Sequence, residues 1–147
     1  MNTAHKKVLK KGIFLMNIAF FLTPKNSVDF LTIGDSMRQG LEKLRRHGYT
    51  ALPVIKETGE YAGYISEGDF LRSIFTIGTI DLKDLEDISI DEAVHKENFA
   101  VRITASMDDL LTTILDHNFV PVVDDRGMFM GIVTRRAILK YFAQKKL

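Results

Sequence analysis

Hydrophobic positions along this chain switch between two spacings, and the switch occurs twice in the same order. Residues 30–33 (Phe-Leu-Thr-Ile) make a short β-type run. Asp35 or Ser36 then offers an N-cap for a helix carrying Met37, Leu41 and Leu44 on one face, with Gly48 ending it. Residues 51–55 are apolar throughout, 57–60 (Glu-Thr-Gly-Glu) supply a turn, and 61–65 return as the second arm of a hairpin. Ser66 caps a further helix running to about Phe75, with Phe70, Leu71 and Ile74 as its apolar stripe. The predicted order is β-α-β-β-α.

The second half repeats that order. Residues 99–103 form a strand, Ser106-Met107-Asp108-Asp109 starts a capped helix burying Leu110, Leu111, Ile114 and Leu115, and 119–123 with 129–133 make a hairpin around Asp124-Asp125-Arg126-Gly127. A final helix begins near Arg135. Pro53-Val54-Ile55, Gly59, Gly63, Ile65-Ser66 and Phe70-Leu71 recur without a gap as Pro121-Val122-Val123, Gly127, Gly131, Val133-Thr134 and Ile138-Leu139. A repeat of this size marks a duplicated supersecondary unit whose copies bury faces that one copy alone would expose. The copies differ in one loop: the stretch from His117 to Pro121 is two residues shorter than that from His47 to Pro53. Residues 78–87 are polar and acidic and read as a connector, and 88–95 are expected to form a short helix opening the second half, equivalent to the segment around 18–22. The expected division is an extension at 1–15, a first repeat at 16–79, a linker at 80–87 and a second repeat at 88–147.

Composition narrows the chemistry rather than the fold. With 46% apolar and 27% charged residues among 147, and a formal net charge of +1, the chain is an ordinary globular sequence with no global field that names a nucleic-acid or membrane partner. The absence of cysteine excludes disulfides, thiolate metal sites and cysteine nucleophiles, and fits a reducing cytoplasm. Lys6, Lys7, Lys10 and Lys11 ahead of the apolar run 13–22 imitate a signal peptide. Asn17 interrupts that run, Thr23-Pro24-Lys25-Asn26 stands where a small-residue cleavage site belongs, and the run is too short to span a bilayer. It reads as a packed lead-in, and Met16 offers an alternative start. His5, His47, His95 and His117 lack metal-ligand spacing; His47 and His117 occupy equivalent helix ends, where a histidine meets the last carbonyls. No Walker-type loop, no Gly-x-Gly-x-x-Gly and no nucleophile–base pair is present, so no enzyme is expected. Asp108-Asp109 and Asp124-Asp125 are explained by a helix first turn and a hairpin turn.

A helix, a Pro-Val-Val-Asp strand, a Gly turn, Gly-Ile-Val-Thr and another helix, occurring twice, resemble the cystathionine-β-synthase (CBS) domain, and the tandem resembles the paired-CBS or Bateman module. The resemblance covers residues from about 17 to 143. It implies an α/β (α+β) fold of two β-α-β-β-α repeats packed as a pseudo-twofold pair, no catalytic domain, a regulatory role, an adenine nucleotide bound in the cleft between the halves, and a homodimer. Gly48-Tyr49-Thr50-Ala51-Leu52-Pro53-Val54, the shortened Asn118-Phe119-Val120 entry and Thr134-Arg135-Arg136 are similar to the stand-alone CBS proteins of Gram-positive bacteria that include the cyclic di-AMP-binding protein B group.

The site residues follow from that resemblance. Ser66-Glu67-Gly68-Asp69 places a hydroxyl near phosphate and a carboxylate that accepts both hydroxyls of a ribose diol; the alternative is a plain capping box. In the second copy Thr134-Arg135-Arg136-Ala137 lacks the carboxylate and presents two guanidiniums, which match phosphate geometry. Cations are mildly unfavourable at a helix N-terminus, so the pair points to an anion. A cyclic dinucleotide has phosphates and no free diol and suits this half, whereas Asp69 departs from the cyclic di-AMP-binding pattern and keeps AMP, ADP and ATP in view. Tyr49, Thr50, Ala51 and Pro53 offer backbone to an adenine, Phe119, Val120 and Pro121 an apolar or stacking wall, and Ser27 lines the same cleft. An unidentified protein partner is expected. The alternatives are an interaction module without a small-molecule ligand and a weak nucleic-acid binder working through residues 6–11 and Lys140, Lys145 and Lys146.

Overall fold

The computed structural model describes residues 16–47, 50–79 and 81–144. Tyr49, the basic stretch 6–11, His5, the side chain of His47, Lys145 and Lys146 lie outside the described residues. In chain order the elements are β1 (Thr23–Pro24), β2 (Leu31–Thr32), α1 (Met37–His47), β3 (Ala51–Ile55), β4 (Tyr61–Ser66), α2 (Glu67–Ile77), α3 (Leu82–Glu86), β5 (Val101–Arg102), α4 (Met107–Ile114), β6 (Phe119–Val123), β7 (Phe129–Thr134) and α5 (Arg135–Gln144), with 3₁₀ turns at Ile18–Phe21, Lys25–Ser27 and Asp91–Ala93. They form two mixed α/β units, residues 29–98 and residues 16–28 with 99–144.

In the 29–98 unit, β2 runs parallel to β3, and β3 folds back antiparallel into β4. Four consecutive buried positions in β3 are the mark of a strand covered on both faces. Pro53 sits one residue ahead of the point where the parallel neighbour begins, at Val54, so the missing N–H falls where β3 has only one partner. Ser36 and Gln39 cap α1 reciprocally: the Gln39 amide donates to the Ser36 hydroxyl at 3.1 Å and the Ser36 amide to the Gln39 side chain at 2.8 Å. The core joins Leu31, Met37, Leu44, Leu52, Val54, Ile65 and Phe70 to Leu85, Ile90 and Val94.

Several expectations change at this point. The acidic connector contains a short helix, α3, because Leu85 is fully buried and Asp81 caps it through the Lys83 amide. Residues 88–95 hold a single 3₁₀ turn, and their apolar side chains fill the core of the 29–98 unit. Tyr64 and His95 exchange two backbone hydrogen bonds there, of 2.8 and 3.1 Å. Leu71, expected on a buried stripe, is exposed, since the stripe of α2 is narrowed to Phe70, Ile74 and Ile77.

The second unit has the sheet order β1-β7-β6-β5, with β5 parallel to β6 and the rest antiparallel. Ile18 and Phe21 from the lead-in pack with Val101, Met107, Leu110, Ile114, Val120, Val122, Val133 and Ile138. Leu115 ends α4 exposed rather than buried. No helix among the described residues is long and apolar enough to cross a membrane.

Candidate functional site

The register of each hairpin assembles a strand end and a helix start. In the 29–98 unit Ala51 pairs with Ser66, and the Glu67 amide donates to the Thr50 carbonyl at 3.0 Å, so Thr50, Ala51, Ser66 and Asp69 come together. Pro53 follows, buried. In the other unit Phe119 pairs with Thr134 and the Arg135 amide donates to the Asn118 carbonyl at 3.1 Å, which gathers Phe119, Thr134, Arg135 and Arg136. Val120 and Pro121 are buried in that core. Ser27 is exposed in its 3₁₀ turn, its hydroxyl 3.5 Å from the Asn26 side-chain oxygen.

Asp69 is the buried charged side chain of the described residues, 6% exposed. Both carboxylate oxygens are engaged by the protein's own groups. Oδ2 accepts from the Ser66 amide and the Ser66 hydroxyl, each at 2.7 Å, while the Asp69 amide donates back to the Ser66 oxygen at 3.2 Å. The capping box weighed from the sequence is therefore formed. Oδ1 meets Arg72 Nη2 at 2.7 Å and His95 Nε2 at 2.6 Å. Burial pushes this carboxyl towards its neutral form, but the hydrogen bonds from Ser66 and Arg72, with the charge of His95, outweigh burial and hold it below the usual carboxylate range. The His95 ring stacks on Tyr64, centroids 4.9 Å apart and 13° from parallel.

The second helix start is built differently. Thr134 caps α5 by accepting the Ala137 amide at 3.0 Å. Arg135 turns back to the end of α4: Nε donates to the Ile114 carbonyl at 2.8 Å, Nη2 to the Leu115 carbonyl at 2.5 Å, and Nη1 to the Asn118 side chain at 3.2 Å. A guanidinium on the last carbonyls of a helix satisfies orphan acceptors and complements the negative end of the helix dipole. One of the two cations that pointed to an anion thus has an internal anion equivalent. His117, expected at those carbonyls, instead stacks face to face on Phe99, centroids 3.8 Å apart. The Arg136 guanidinium is exposed and forms no side-chain hydrogen bond or ion pair with another described residue.

Sequence reasoning missed Arg72 and His95 as partners of Asp69. The i,i+3 spacing from Asp69 to Arg72 was a legible signal. Nothing in the sequence ties His95 to Asp69. Among the described residues no cluster of His, Asp or Glu is arranged to hold a metal.

Known proteins share this architecture. The CBS domain family model matches residues 23–76 and 85–144. The Cyclic di-AMP receptor B of Bacillus subtilis is 28% identical over 120 residues, 82% of each chain. The Listeria monocytogenes CbpB protein, solved in complex with c-di-AMP, superposes with a TM-score of 0.76 at 26% identity, covering 86% of this chain and 95% of that one. A CBS domain protein from Streptococcus pneumoniae superposes with a TM-score of 0.86 at 24% identity, covering 97% of both chains.

Proposed function

The chain belongs to the CBS domain family, and within it we propose a non-enzymatic, cytoplasmic regulatory protein that binds an adenine nucleotide, cyclic di-AMP ahead of AMP, ADP or ATP, and signals the bound state to a partner protein. The observation that carries this reading is the asymmetry of the two helix starts. One holds a carboxylate whose two oxygens are both engaged by the protein's own groups. The other has no carboxylate, a hydroxyl at Thr134 and an exposed guanidinium at Arg136. A cyclic dinucleotide brings two phosphodiesters and no free vicinal diol, so it needs the second kind of site and not the first. The similarity to a cyclic di-AMP receptor and to CbpB supports the same choice.

In this reading Arg136 and the Thr134 hydroxyl contact phosphate and Phe119 offers a base-binding edge in one unit, while Thr50 and Ala51 offer such edges in the 29–98 unit. Pro53, Val120 and Pro121, being buried, contribute rigid backbone. Arg135 positions the helix start. Signalling requires that ligand bind two states of the partner-facing surface with different affinity. Titration calorimetry with cyclic di-AMP, AMP and ATP tests the reading, and no heat with any of them sinks it. Arg136→Ala is expected to weaken cyclic di-AMP roughly 10- to 100-fold, the range of a lost charge-assisted hydrogen bond, and to leave the melting temperature in place. Arg135→Ala should instead cost about 1–2 kcal/mol of stability through the uncapped end of α4.

The expected homodimer has a surface available. Leu71 and Phe75 lie one turn apart on α2, 56% and 77% exposed, beside a groove lined by Leu41, Leu44, Phe70 and Ile74. Exposed large apolar groups in a row favour burial against a second copy. Sedimentation of Leu71→Glu/Phe75→Glu should report a monomer where the parent chain reports a dimer; an unchanged mass excludes this face.

A further inference from the structure

We infer that His95 is a specificity-determining residue, which occupies the acceptor a ribose diol needs and so biases the Asp69 helix start against mononucleotides. The inference rests on the adenine-nucleotide reading above. An ionised carboxylate has about four lone-pair sites. On Asp69 three hydrogen bonds already use them, from the Ser66 amide and hydroxyl on Oδ2 and from Arg72 on Oδ1, and His95 Nε2 stands 2.6 Å from Oδ1 beside them. A vicinal diol brings two donors of its own and finds no open approach to the carboxylate, so it binds only by displacing two of these four groups.

The four are not equally displaceable. The Ser66 pair is the cap of α2, and removing it would strip the helix of its start. The exchangeable groups are both at Oδ1. Arg72 is one turn further along the same helix and 69% exposed, so water can replace its contact readily. His95 is better held: its backbone is paired with Tyr64 in both directions and its ring lies flat on the Tyr64 ring. Both line a cleft of about 440 Å³ with Asp69, Ser73, Ser89 and Glu92, so a diol approaching Oδ1 meets the imidazole at the mouth of its own acceptor. A ligand without a free diol makes no demand on Oδ1 and is unaffected. The other repeat has no equivalent lock, because Ala137 stands where Asp69 does and Thr23 pairs with β7 where His95 pairs with β4.

The test compares AMP and cyclic di-AMP by calorimetry on the full chain, its His95→Phe variant, which keeps a ring on Tyr64 without the donor, and its His95→Ala variant. AMP affinity should rise about tenfold or more in both, the worth of one charge-assisted hydrogen bond to a carboxylate, with cyclic di-AMP held within twofold. Unchanged AMP affinity in both variants, with cyclic di-AMP still binding, overturns the lock and leaves the proposed function standing. If no nucleotide binds the parent chain, the proposed function fails, and the contact itself is judged by NMR without ligand. The imidazole nitrogen resonances of His95 should move in Asp69→Asn while those of His117 hold, and resonances that stay put overturn the inference.

Discussion

Gly63→Ala is expected to destabilise the 29–98 unit by about 3–5 kcal/mol, summing a strained backbone and an overpacked contact. Gly63 has φ +150°, which side-chain-bearing residues rarely adopt, and a Cβ built there lies 2.0 Å from the His95 carbonyl oxygen and 2.9 Å from Val94 Cγ1. The carbonyl cannot retreat without breaking its hydrogen bond to the Tyr64 amide. The loss is comparable to the lower end of the whole stability of a small domain, so the variant should lose cooperative unfolding near room temperature. Gly131, also at φ +150°, should respond alike, since a Cβ built there would lie 2.1 Å from the Thr23 carbonyl oxygen. Urea denaturation and amide exchange at Tyr64 and His95 are the measurements. Gly68→Ala is the control: its Cβ would meet the mobile end of the Arg72 side chain at 3.3 Å and the Ser66 hydroxyl at an ordinary 3.7 Å, and a helical alanine should add up to about 1 kcal/mol. A Gly63→Ala protein as stable as the parent would show that the backbone approach at Gly63 carries no stability.

That close approach also marks the limit of what the sequence discloses. The hairpins were legible because β3 with β4, and β6 with β7, carry continuous apolar runs closed by Gly turns, and the caps at Ser66 and Ser106 were legible because a hydroxyl stands three residues before a carboxylate. Both are local signals. Ile90 and Val94 announce burial equally well, yet nothing local states which core receives them, and they enter the core of the repeat before them. Leu85 escaped notice among acids because one apolar residue sets no period. The site divides the same way. Ser66, Asp69, Thr134 and Arg136 were proposed from motif spacing, but the partners that Asp69 and Arg135 meet, His95 and the α4 carbonyls, come from distant elements.

Asp69→Ala is the second large effect, an expected loss of about 2–4 kcal/mol, because it deletes a buried carboxylate that accepts three hydrogen bonds and meets His95. The number alone does not separate a carboxylate from a lost packing volume, but its pH dependence does. The folded-state carboxyl of Asp69 is held below the ordinary value by Ser66, Arg72 and His95 against the opposing effect of burial. A depressed folded value means that the charged form stabilises the fold above the unfolded pKa, near 4, and that this stabilisation fades as pH falls through the folded value. The difference in unfolding free energy between the parent and Asp69→Ala should therefore shrink as pH falls below about 4. Asp69→Asn keeps the volume and one acceptor oxygen, but its amide nitrogen faces the donors that met Oδ1 or Oδ2, so at pH 7 it should retain less than half of the parent's advantage over Asp69→Ala. A gap between parent and alanine variant that stays level down to pH 3 would assign the effect to packing, and with it would go the premise that Oδ1 is an ionised acceptor for which His95 and a ribose compete.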